Sequence, residues 1–448
     1  MTNWPDTFSF KGFEIDEPAR EARLRYALGD RYAFTERLVF DGDLPAISSP
    51  LRAPFEAALE MLWLAAGVSY YKISVPRVIR VEGAALAQDQ RTFLQNLYVD
   101  GLGEFGVRNG VNVAERINFL DAVCAPGKPR GASSGPLPRR SAVLVGGGKD
   151  SLVSVEMLRA GSEPMTLFAV NPKKPILECA AASGLPFVQV RRYLDPLLFE
   201  LNEKGALNGH VPITAIVSFI AVAAAFVEGY DTVVLSNERS ADQGNLVVDG
   251  REINHQYSKT TGAERDIAAQ IATHVHTSLN YFSLLRPLSE AHIAQLMAQV
   301  DRYDHAFTSC NRSFQINPRS EPKRWCGDCP KCRFSFLVLA GAMGRPRIEA
   351  IFGKNMLDDP AQLAGYEELV GLSGHKPWEC VGEIAECGAA MLRLAEHDEW
   401  RDCAVIAALA PRLRALMPDP GAVWRDLLTP SPDHRLPARY ERMLHDFV

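Results

Sequence analysis

The sequence has no surplus of basic residues. Its 448 residues include 48 Lys and Arg against 54 Asp and Glu, which gives a formal net charge of −6 and a pI near 6.0. Proteins that bind a phosphodiester backbone usually carry a basic surplus or a concentrated basic stripe. The charge balance therefore disfavours nucleic acid as a partner.

The sequence also lacks an apolar run of the ~18 residues that a membrane-spanning helix needs. Its first residues, MTNWPDTFSFKGFEIDE, do not place a basic region before an apolar stretch, as a secretory signal would. The nine cysteines do not suggest a disulfide framework, because three of them fall in one short run. We expect a cytoplasmic protein with no membrane attachment.

A hydrophobic share of 47% with 23% charged residues is typical of a globular enzyme, and the length predicts more than one packed unit. Residues 8–42 alternate polar and apolar residues between turn formers, which predicts a small antiparallel β unit. Helical spacing follows over 53–68 and 89–107, with the strand-like run VPRVIRV between them. An α+β N-terminal domain over residues 1–125 is predicted, on the substrate side of the enzyme.

Pro, Gly, Ser and Arg are concentrated in the segment CAPGKPRGASSGPLPRR, so we predict a linker over residues 126–140. Beyond it, short β-rich runs alternate with helical stretches as far as TVVLS. This pattern predicts parallel strands joined by right-handed crossovers, an α/β domain over residues 141–340. Residues 341–448 read as a helical C-terminal extension.

Three glycines lie directly after a predicted strand and directly before a predicted helix. Glycines let the backbone approach a phosphate, and the helix N-terminus supplies unpaired N–H groups and a favourable dipole. The lysine and serine that follow can donate, and the aspartate between them can cap the helix or bind Mg²⁺. The predicted ATP-binding and catalytic run is Gly146, Gly147, Gly148, Lys149, Asp150 and Ser151. The alternative is a glycine-rich turn without a ligand.

This run is neither a Walker loop nor a dinucleotide-binding G-x-G-x-x-G motif. It resembles the SGGxDS loop of the PP-loop (N-type ATP pyrophosphatase) superfamily, with Gly146 where that pattern has Ser or Thr. The runs Leu285–Leu288 and Thr308–Cys310 resemble stretches of the 7-cyano-7-deazaguanine synthases in the same superfamily. The resemblance covers roughly residues 141–340 and implies a parallel-sheet core that splits ATP into AMP and pyrophosphate.

Four cysteines are spaced C-x15-C-x2-C-x2-C. Thiolates at this spacing can share one tetrahedral ion at ~2.3 Å, and four sulfurs leave no open coordination position. We predict a structural zinc that fixes the loop Asn311–Trp325, bound by Cys310, Cys326, Cys329 and Cys332. An incidental cluster of cysteines and an iron–sulfur cluster are the alternatives.

Polar side chains are dense after TVVLS, in the run NHQYSK, and ahead of the long apolar helix. Loops at the carboxyl ends of parallel strands form the ligand crevice, so the predicted substrate-binding residues are Asn237, Glu238, Arg239, His255, Tyr257, Ser258, Lys259 and His210. Each of these loops could also be merely solvated. The segment GHKPWECVG adds three candidates for proton transfer, His375, Glu379 and Cys380, with a packed helix cap as the alternative.

The motifs ARLRY, GGGKDS, LSNERSADQGN, NHQYSK, RWCGDCPKC and GHKPWECVGE occur in one order along the chain. In this respect the sequence resembles the bacterial MurL family of UDP-N-acetyl-α-D-muramoyl-L-alanyl-L-glutamate epimerases over nearly its whole length. The resemblance implies ATP and Mg²⁺ as cofactors, a UDP-linked muramoyl dipeptide as substrate, and inversion of its terminal L-glutamate in peptidoglycan precursor synthesis. Converting the carboxylate to an acyl-adenylate would make the α-hydrogen acidic enough to remove.

Three other functions are consistent with parts of the sequence. A 7-cyano-7-deazaguanine synthase is usually a much shorter chain, and a transfer-RNA thiolase should carry a basic appended domain. A catalytically silent nucleotide-binding protein would fit the glycine at position 146. The intact Lys149, Asp150 and Ser151 argue against that last alternative.

Overall fold

The computed structural model describes residues 4–315 and 323–448, so only part of the loop Asn311–Trp325 lies within the described residues. Over these residues the strands are β1 (Thr7–Asp16), β2 (Glu21–Leu28), β3 (Tyr32–Phe40), β4 (Val78–Val81), β5 (Val123–Cys124), β6 (Ser141–Leu144), β7 (Met165–Val170), β8 (Phe187–Tyr193), β9 (Thr232–Leu235), β10 (Leu246–Val248), β11 (Arg251–Ile253) and β12 (Asn280–Ser283).

Helices connect and cover these strands. Over the same residues they are α1 (Arg52–Ala66), α2 (Val68–Tyr71), α3 (Gln88–Gly101), α4 (Gly103–Asn109), α5 (Val113–Arg116), α6 (Lys149–Ala160), α7 (Lys174–Ser183), α8 (Pro196–Glu203), α9 (Ile213–Glu228), α10 (Thr261–Gln270), α11 (Glu290–Ala298), α12 (Pro330–Ala340), α13 (Arg345–Phe352), α14 (Leu363–Leu369), α15 (Ile384–Leu394), α16 (Ala404–Leu416), α17 (Pro420–Leu427) and α18 (Ala438–Phe447). Among the described residues, none of these helices is long and apolar enough to span a membrane.

One large sheet runs through the molecule in the order β12, β9, β6, β7, β8, β3, β2, β1, β4, β5. From β12 to β8 neighbouring strands are parallel, and from β8 to β1 they are antiparallel. The α/β class with a parallel core is therefore confirmed, as is the antiparallel unit over residues 8–42. The sheet includes strands from both sides of the predicted linker 126–140, because β3 pairs with β8. The division into four predicted segments stays a prediction.

The parallel strands pack a separate core on each face. Ala142 of β6 and Phe168 of β7 belong to a core shared with β1–β3, α1 and α9. Their neighbours Val143 and Leu167 belong to a second core, shared with α6, α11, α12 and the C-terminal helices. This alternation is the pattern of a parallel sheet covered by helices on both faces.

The amino-acid pattern explains which helices are central. In α9, ITAIVSFIAVAAAFVE, the residues from Phe219 to Phe226 are all buried, and the helix packs against α1. α1 is buried almost along its whole length, from Pro54 to Ala66. A helix that is apolar on all sides needs cover on all sides, which the sheet and the N-terminal elements supply here.

Candidate functional site

The glycine loop joins β6 to α6 at the carboxyl edge of the parallel strands. β6 lies between β7, which follows it in the chain, and β9, which follows much later. Ligand crevices in open α/β sheets form at such a reversal of strand order. The predicted strand, loop and helix over residues 141–160 are thus confirmed as elements, and the loop lies where a ligand can reach it.

Each glycine of the loop has a different environment. Gly147 has a φ of +78°, its carbonyl accepts from the Thr308 N–H at 2.8 Å, and an added Cβ would lie 3.3 Å from Ile176. An added Cβ on Gly148 would lie 2.7 Å from the Ser309 hydroxyl, whereas one on Gly146 would have no neighbour within 4 Å. The loop is therefore held close against residues 308–309 while its first position is open.

Lys149 and Asp150 form an ion pair at the start of α6, and Lys149 also contacts Glu290 of α11. Lys149 is buried with 3% of its surface exposed. Burial alone would lower the pKa of Lys149, but the carboxylates of Asp150 and Glu290 raise it above its ordinary value. Lys149 is thus a buried cation, and its charge is shared with two carboxylates.

A cavity of about 430 Å³ opens beside the loop. Its polar wall includes Asp150 and Ser151 from α6, and Ser236 and Asn237 after β9. Apolar side chains of β6, β7 and α9 form the rest, among them Phe168. A cavity of this size with an apolar wall on one side and a helix N-terminus on the other suits a nucleotide.

A small polar chamber of about 40 Å³ adjoins this cavity. Both spaces are lined by Asp150, Ser236, Asn237, Lys259, Ser309 and Lys331. The chamber alone is lined by Lys149, Glu238, Gln256, Glu290, Phe334, Ser335 and Cys380. Burial, followed by repulsion from Asp150, raises the pKa of Glu238. The chamber therefore brings together acids, cations and one thiol that the sequence spreads over more than 200 residues.

Cys380 lies against a cation. The Lys259 ammonium donates to the Cys380 sulfur at 3.2 Å. Burial would raise the pKa of Cys380, but Lys259, Lys331 and His255 together lower it well below its ordinary value. The surrounding positive charge thus favours the thiolate, the form that can accept a proton.

Four of the other predicted substrate-binding residues do not line this chamber. Arg239 points to α17, where it binds the Asp426 backbone and carboxylate. Tyr257 lines a separate cavity of about 470 Å³ between α3, α4 and the β10–β11 hairpin. Ser258, the next residue, is buried with 6% exposure. The His210 ring lies tilted against the His255 ring, with 4.4 Å between the ring centroids. Arg239 and Tyr257 therefore lie outside the cavity of the glycine loop.

The three candidates for proton transfer in GHKPWECVG also lie in different surroundings. His375 is exposed and its Nδ1 faces the backbone carbonyl of Lys376. Glu379 binds the Asn311 amide, and burial raises its pKa. Only Cys380 of the three lines the chamber.

Glu104 is a site residue that the sequence analysis missed. It lies in α4 with 5% exposure, and its carboxylate binds His255 Nδ1. Its only local sign is an acidic residue inside the apolar, glycine-rich run Leu-Gly-Glu-Phe-Gly. A buried acid in such a helix needs a partner, but nothing local indicates that the partner is 151 residues away.

The four predicted zinc ligands come together. The sulfur atoms are 3.9 Å apart for Cys310 and Cys329, 3.7 Å for Cys326 and Cys332, and 3.4 Å for Cys329 and Cys332. Four ligands at ~2.3 Å from a tetrahedral ion are about 3.8 Å from one another. The cluster could therefore hold a zinc ion.

Glu104, His210 and His255 form a second group whose ligand atoms lie within 4.8 Å of one another. Here the Glu104 carboxylate and His255 Nδ1 are in direct hydrogen-bond contact. Ligands at ~2.0 Å from one tetrahedral ion would stand about 3.3 Å apart. The grouping is explained by the ion pair itself.

The fold and site define an α/β protein with a nucleotide-sized cavity at the carboxyl edge of its parallel strands and a charged chamber behind it. The model of the MurL N-terminal domain matches residues 1–284, and that of the MurL C-terminal domain matches residues 306–421. This chain belongs to the MurL family.

Three relatives extend over nearly the whole chain, and each is named UDP-N-acetyl-α-D-muramoyl-L-alanyl-L-glutamate epimerase. The relative from Micromonospora sp. is 43% identical over 448 residues, with 98% of each chain covered. That from Salinispora tropica is 42% identical, covering 97% of this chain and 94% of its own. That from Xanthomonas oryzae pv. oryzae is 39% identical, covering 99% and 98%.

Proposed function

We propose that this chain is a cytoplasmic, ATP-dependent epimerase that inverts the terminal L-glutamate of UDP-N-acetyl-α-D-muramoyl-L-alanyl-L-glutamate and releases AMP and pyrophosphate. The observation that carries the proposal is the adjacency of two spaces. A nucleotide-sized cavity lies against the glycine loop, and the thiol of Cys380 lies in the chamber that opens from it. Activation and proton transfer could then occur on one bound molecule. The names of the three relatives support the choice of substrate.

In this proposal the glycine loop acts as a PP-loop. The backbone N–H groups at the start of α6 and the Ser151 hydroxyl bind the phosphates, and Asp150 is the residue available to a Mg²⁺ ion. The Asp150 side chain is 33% exposed, although Lys149 also contacts it. Mg²⁺ binding would screen the phosphate charge and take up part of the Asp150 charge that now faces Lys149.

Activation is needed because removal of an α-proton beside a free carboxylate would place a second negative charge on one group. Once the carboxylate is an acyl-adenylate, its carbonyl oxygen can accept the electron pair as an enolate. We assign the removal of this proton on one face to Cys380, whose thiolate suits a closed site. Return of a proton on the other face gives the inverted centre, and hydrolysis of the adenylate releases the product.

The proposal is tested by incubating the purified protein with ATP, Mg²⁺ and the UDP-linked L-alanyl-L-glutamate. We expect AMP and pyrophosphate in equal amounts, and D-glutamate after acid hydrolysis of the product and chiral separation. ADP as the nucleotide product would refute the PP-loop assignment. AMP formation with glutamate that stays entirely L would refute the epimerase and leave a ligase or thiolase.

The role of Cys380 is tested in deuterium oxide with Cys380→Ser, and with His375→Asn as the matched control from the same segment. Cys380→Ser should lower α-deuterium incorporation by ~10²-fold or more while adenylation stays measurable. His375→Asn should exchange at the wild-type rate, because His375 does not line the chamber. Wild-type exchange by the Cys380 variant would exclude the thiol as the base.

A further inference from the structure

Three carboxyl groups line the small polar chamber, and they belong to Asp150, Glu238 and Glu290. The buried cation Lys149 contacts two of them, those of Asp150 and Glu290. Over residues 4–315 and 323–448, the Glu238 carboxyl group forms no ion pair with a lysine, arginine or histidine. Within this part of the chain, Glu238 is therefore an acid of the chamber without a paired cation.

Glu238 is also buried. It follows β9 with 7% of its surface exposed, and its Oε2 accepts from the Ala241 N–H at 3.1 Å. Arg286 donates to the Glu238 backbone carbonyl at 2.8 Å, but its charge is paired with Glu264. Burial without a paired cation favours the neutral form of a carboxyl group. Burial, followed by repulsion from Asp150, accordingly raises the pKa of Glu238. Because Oε2 accepts a hydrogen bond, the proton of the neutral form belongs on Oε1.

Glu238 and Cys380 line the same small space from different elements. Glu238 follows β9, whereas Cys380 precedes α15 and accepts from the Lys259 ammonium at 3.2 Å. A chamber of about 40 Å³ admits only a small group of atoms, so a carbon atom bound there would be within reach of both side chains. The surroundings favour a thiolate at one of them and a neutral acid at the other. Two groups whose pKa values are driven apart in this way are typical of a catalytic acid and base.

Inversion of a carbon centre needs such a pair, because a proton is removed from one face and a proton is returned to the other. The proposed function assigns the removal to Cys380. We propose that Glu238 is the catalytic acid that returns the proton, on the face opposite to Cys380. This assignment rests on the proposed function and adds the residue that completes the inversion.

The two proton transfers balance. In the L-to-D direction the Cα–H bond breaks, its proton forms an S–H bond on Cys380, and the electron pair moves to the carbonyl oxygen of the adenylate. The electron pair then returns to form a new Cα–H bond with the proton of Glu238 Oε1, which leaves Glu238 as a carboxylate. From D-glutamate the roles are reversed, with Glu238 as the base and the Cys380 thiol as the acid. After a turnover both groups exchange protons with water and regain their starting states.

The two transfers can be measured separately with a substrate analogue that carries chloride on the β-carbon of its glutamate. Once the α-proton is removed, the electron pair forms the Cα–Cβ double bond and chloride leaves with its own electron pair, so no acid is needed. The purified protein is incubated with ATP, Mg²⁺ and the L or the D form of the analogue, and AMP and chloride are measured. Release from each form reports the base on one face, and the natural substrate reports inversion.

Glu238→Gln keeps an oxygen that can accept from Ala241 but has no acidic proton to donate. It should form AMP and release chloride from the L analogue at nearly the wild-type rate. Inversion and chloride release from the D analogue should fall by ~10²-fold or more. Cys380→Ser should give the opposite result with the two analogues. A misfolded variant would lose both releases, so a structural defect does not produce this crossed pattern.

The matched control is Asp359→Asn. Asp359 also accepts from a backbone N–H at the start of a 3-10 turn, but it does not line the chamber, and its replacement should change neither release. Equal chloride release from both analogues by Glu238→Gln, or inversion at the wild-type rate, would overturn the assignment. If Glu238→Gln does not fold, Glu238→Asp decides. Inversion slowed about tenfold or more with unchanged release from the L analogue supports the assignment, and unchanged inversion overturns it.

The wild-type protein separates this assignment from the proposed function. A wild-type protein that forms no AMP or inverts no glutamate would refute both. A wild-type epimerase whose Glu238→Gln variant inverts at the same rate would refute only the role of Glu238. Loss of inversion in Lys331→Gln, at a cation that lines the same chamber, would in that case identify the lysine ammonium as the proton donor instead.

Discussion

At the scale of single residues, Gly146 and Gly147 differ in whether the loop can accommodate a side chain at their position. Gly147 has a φ of +78°, and a Cβ there would meet Ile176 at 3.3 Å, whereas a Cβ on Gly146 meets nothing. We expect Gly147→Ala to lower AMP formation by about tenfold or more, because a left-handed alanine costs roughly 1–2 kcal/mol and shifts the loop. Gly146→Ala is the matched control and should keep its rate within about twofold. Equal losses in both variants would contradict this geometry.

Asp150 carries the second prediction at this scale. Asp150→Asn should lower AMP and pyrophosphate formation by at least ~10²-fold, the scale of deleting one preorganised charged group. The thermal midpoint should change little, because the Asp150 side chain is one-third exposed at a helix N-terminus. Asp398→Asn, at an exposed aspartate paired with Arg401, is the control. An unchanged rate of AMP release would exclude Asp150 from the nucleotide site.

The sequence was informative about single residues where the chemistry is local. The glycine loop and the cysteine cluster can each be recognised from a short sequence motif, and the structure brings the residues of each motif together. Arg239 and Tyr257 are predicted to bind substrate because they lie in loops that are dense in polar side chains, but a 3-10 turn directs Arg239 to α17. Glu104 could not be found locally, because its role depends on a contact between α4 and the segment before α10.

At the scale of elements, the cysteine cluster ties the chain before residue 311 to the start of α12. We expect one zinc per chain by elemental analysis, and loss of the metal with a clear drop in thermal midpoint for Cys329→Ser, since a closed site contributes directly to folding. Cys124→Ser, at a half-buried cysteine of β5, should keep the metal. Protein purified without chelator that holds no stoichiometric metal would refute the zinc assignment, and iron with sulfide would favour a cluster.

Element boundaries were predictable where one pattern dominated. The alternation over residues 8–42 predicts antiparallel strands, and the apolar run of α9 predicts a buried helix. The structure contains both. What the pattern could not supply was the pairing of β3 with β8, since strand partners depend on the shape of the whole sheet. Residues Arg37 to Phe40 of β3 pair with β8, and only Leu38 and Phe40 of them are buried. The sequence shows the same alternation whichever strand lies beside them.

At the scale of the whole molecule, a buried ion pair spans the junction of the parallel and antiparallel strands. Arg192 of β8 and Glu36 of β3 are 8% and 0% exposed, with 2.7 Å between them. Glu36→Gln should lower the free energy of unfolding by about 3–5 kcal/mol, because the arginine would remain as an uncompensated buried charge. Glu14→Gln breaks the exposed pair with Arg25 and should cost less than about 1 kcal/mol. Urea unfolding measures both, and equal small losses would contradict the prediction.

The continuous sheet also means that contacts between strands, and not only the peptide chain, hold the N-terminal part to the rest of the molecule. A single cut within residues 126–137 would break no strand of the sheet, and the two pieces would still share the β3–β8 pairing and the packing of α1 on α9. Two separately encoded fragments should therefore find each other when made in the same cell, as the halves of a split reporter do. We therefore expect the sheet to hold the two pieces together without a peptide bond at that point.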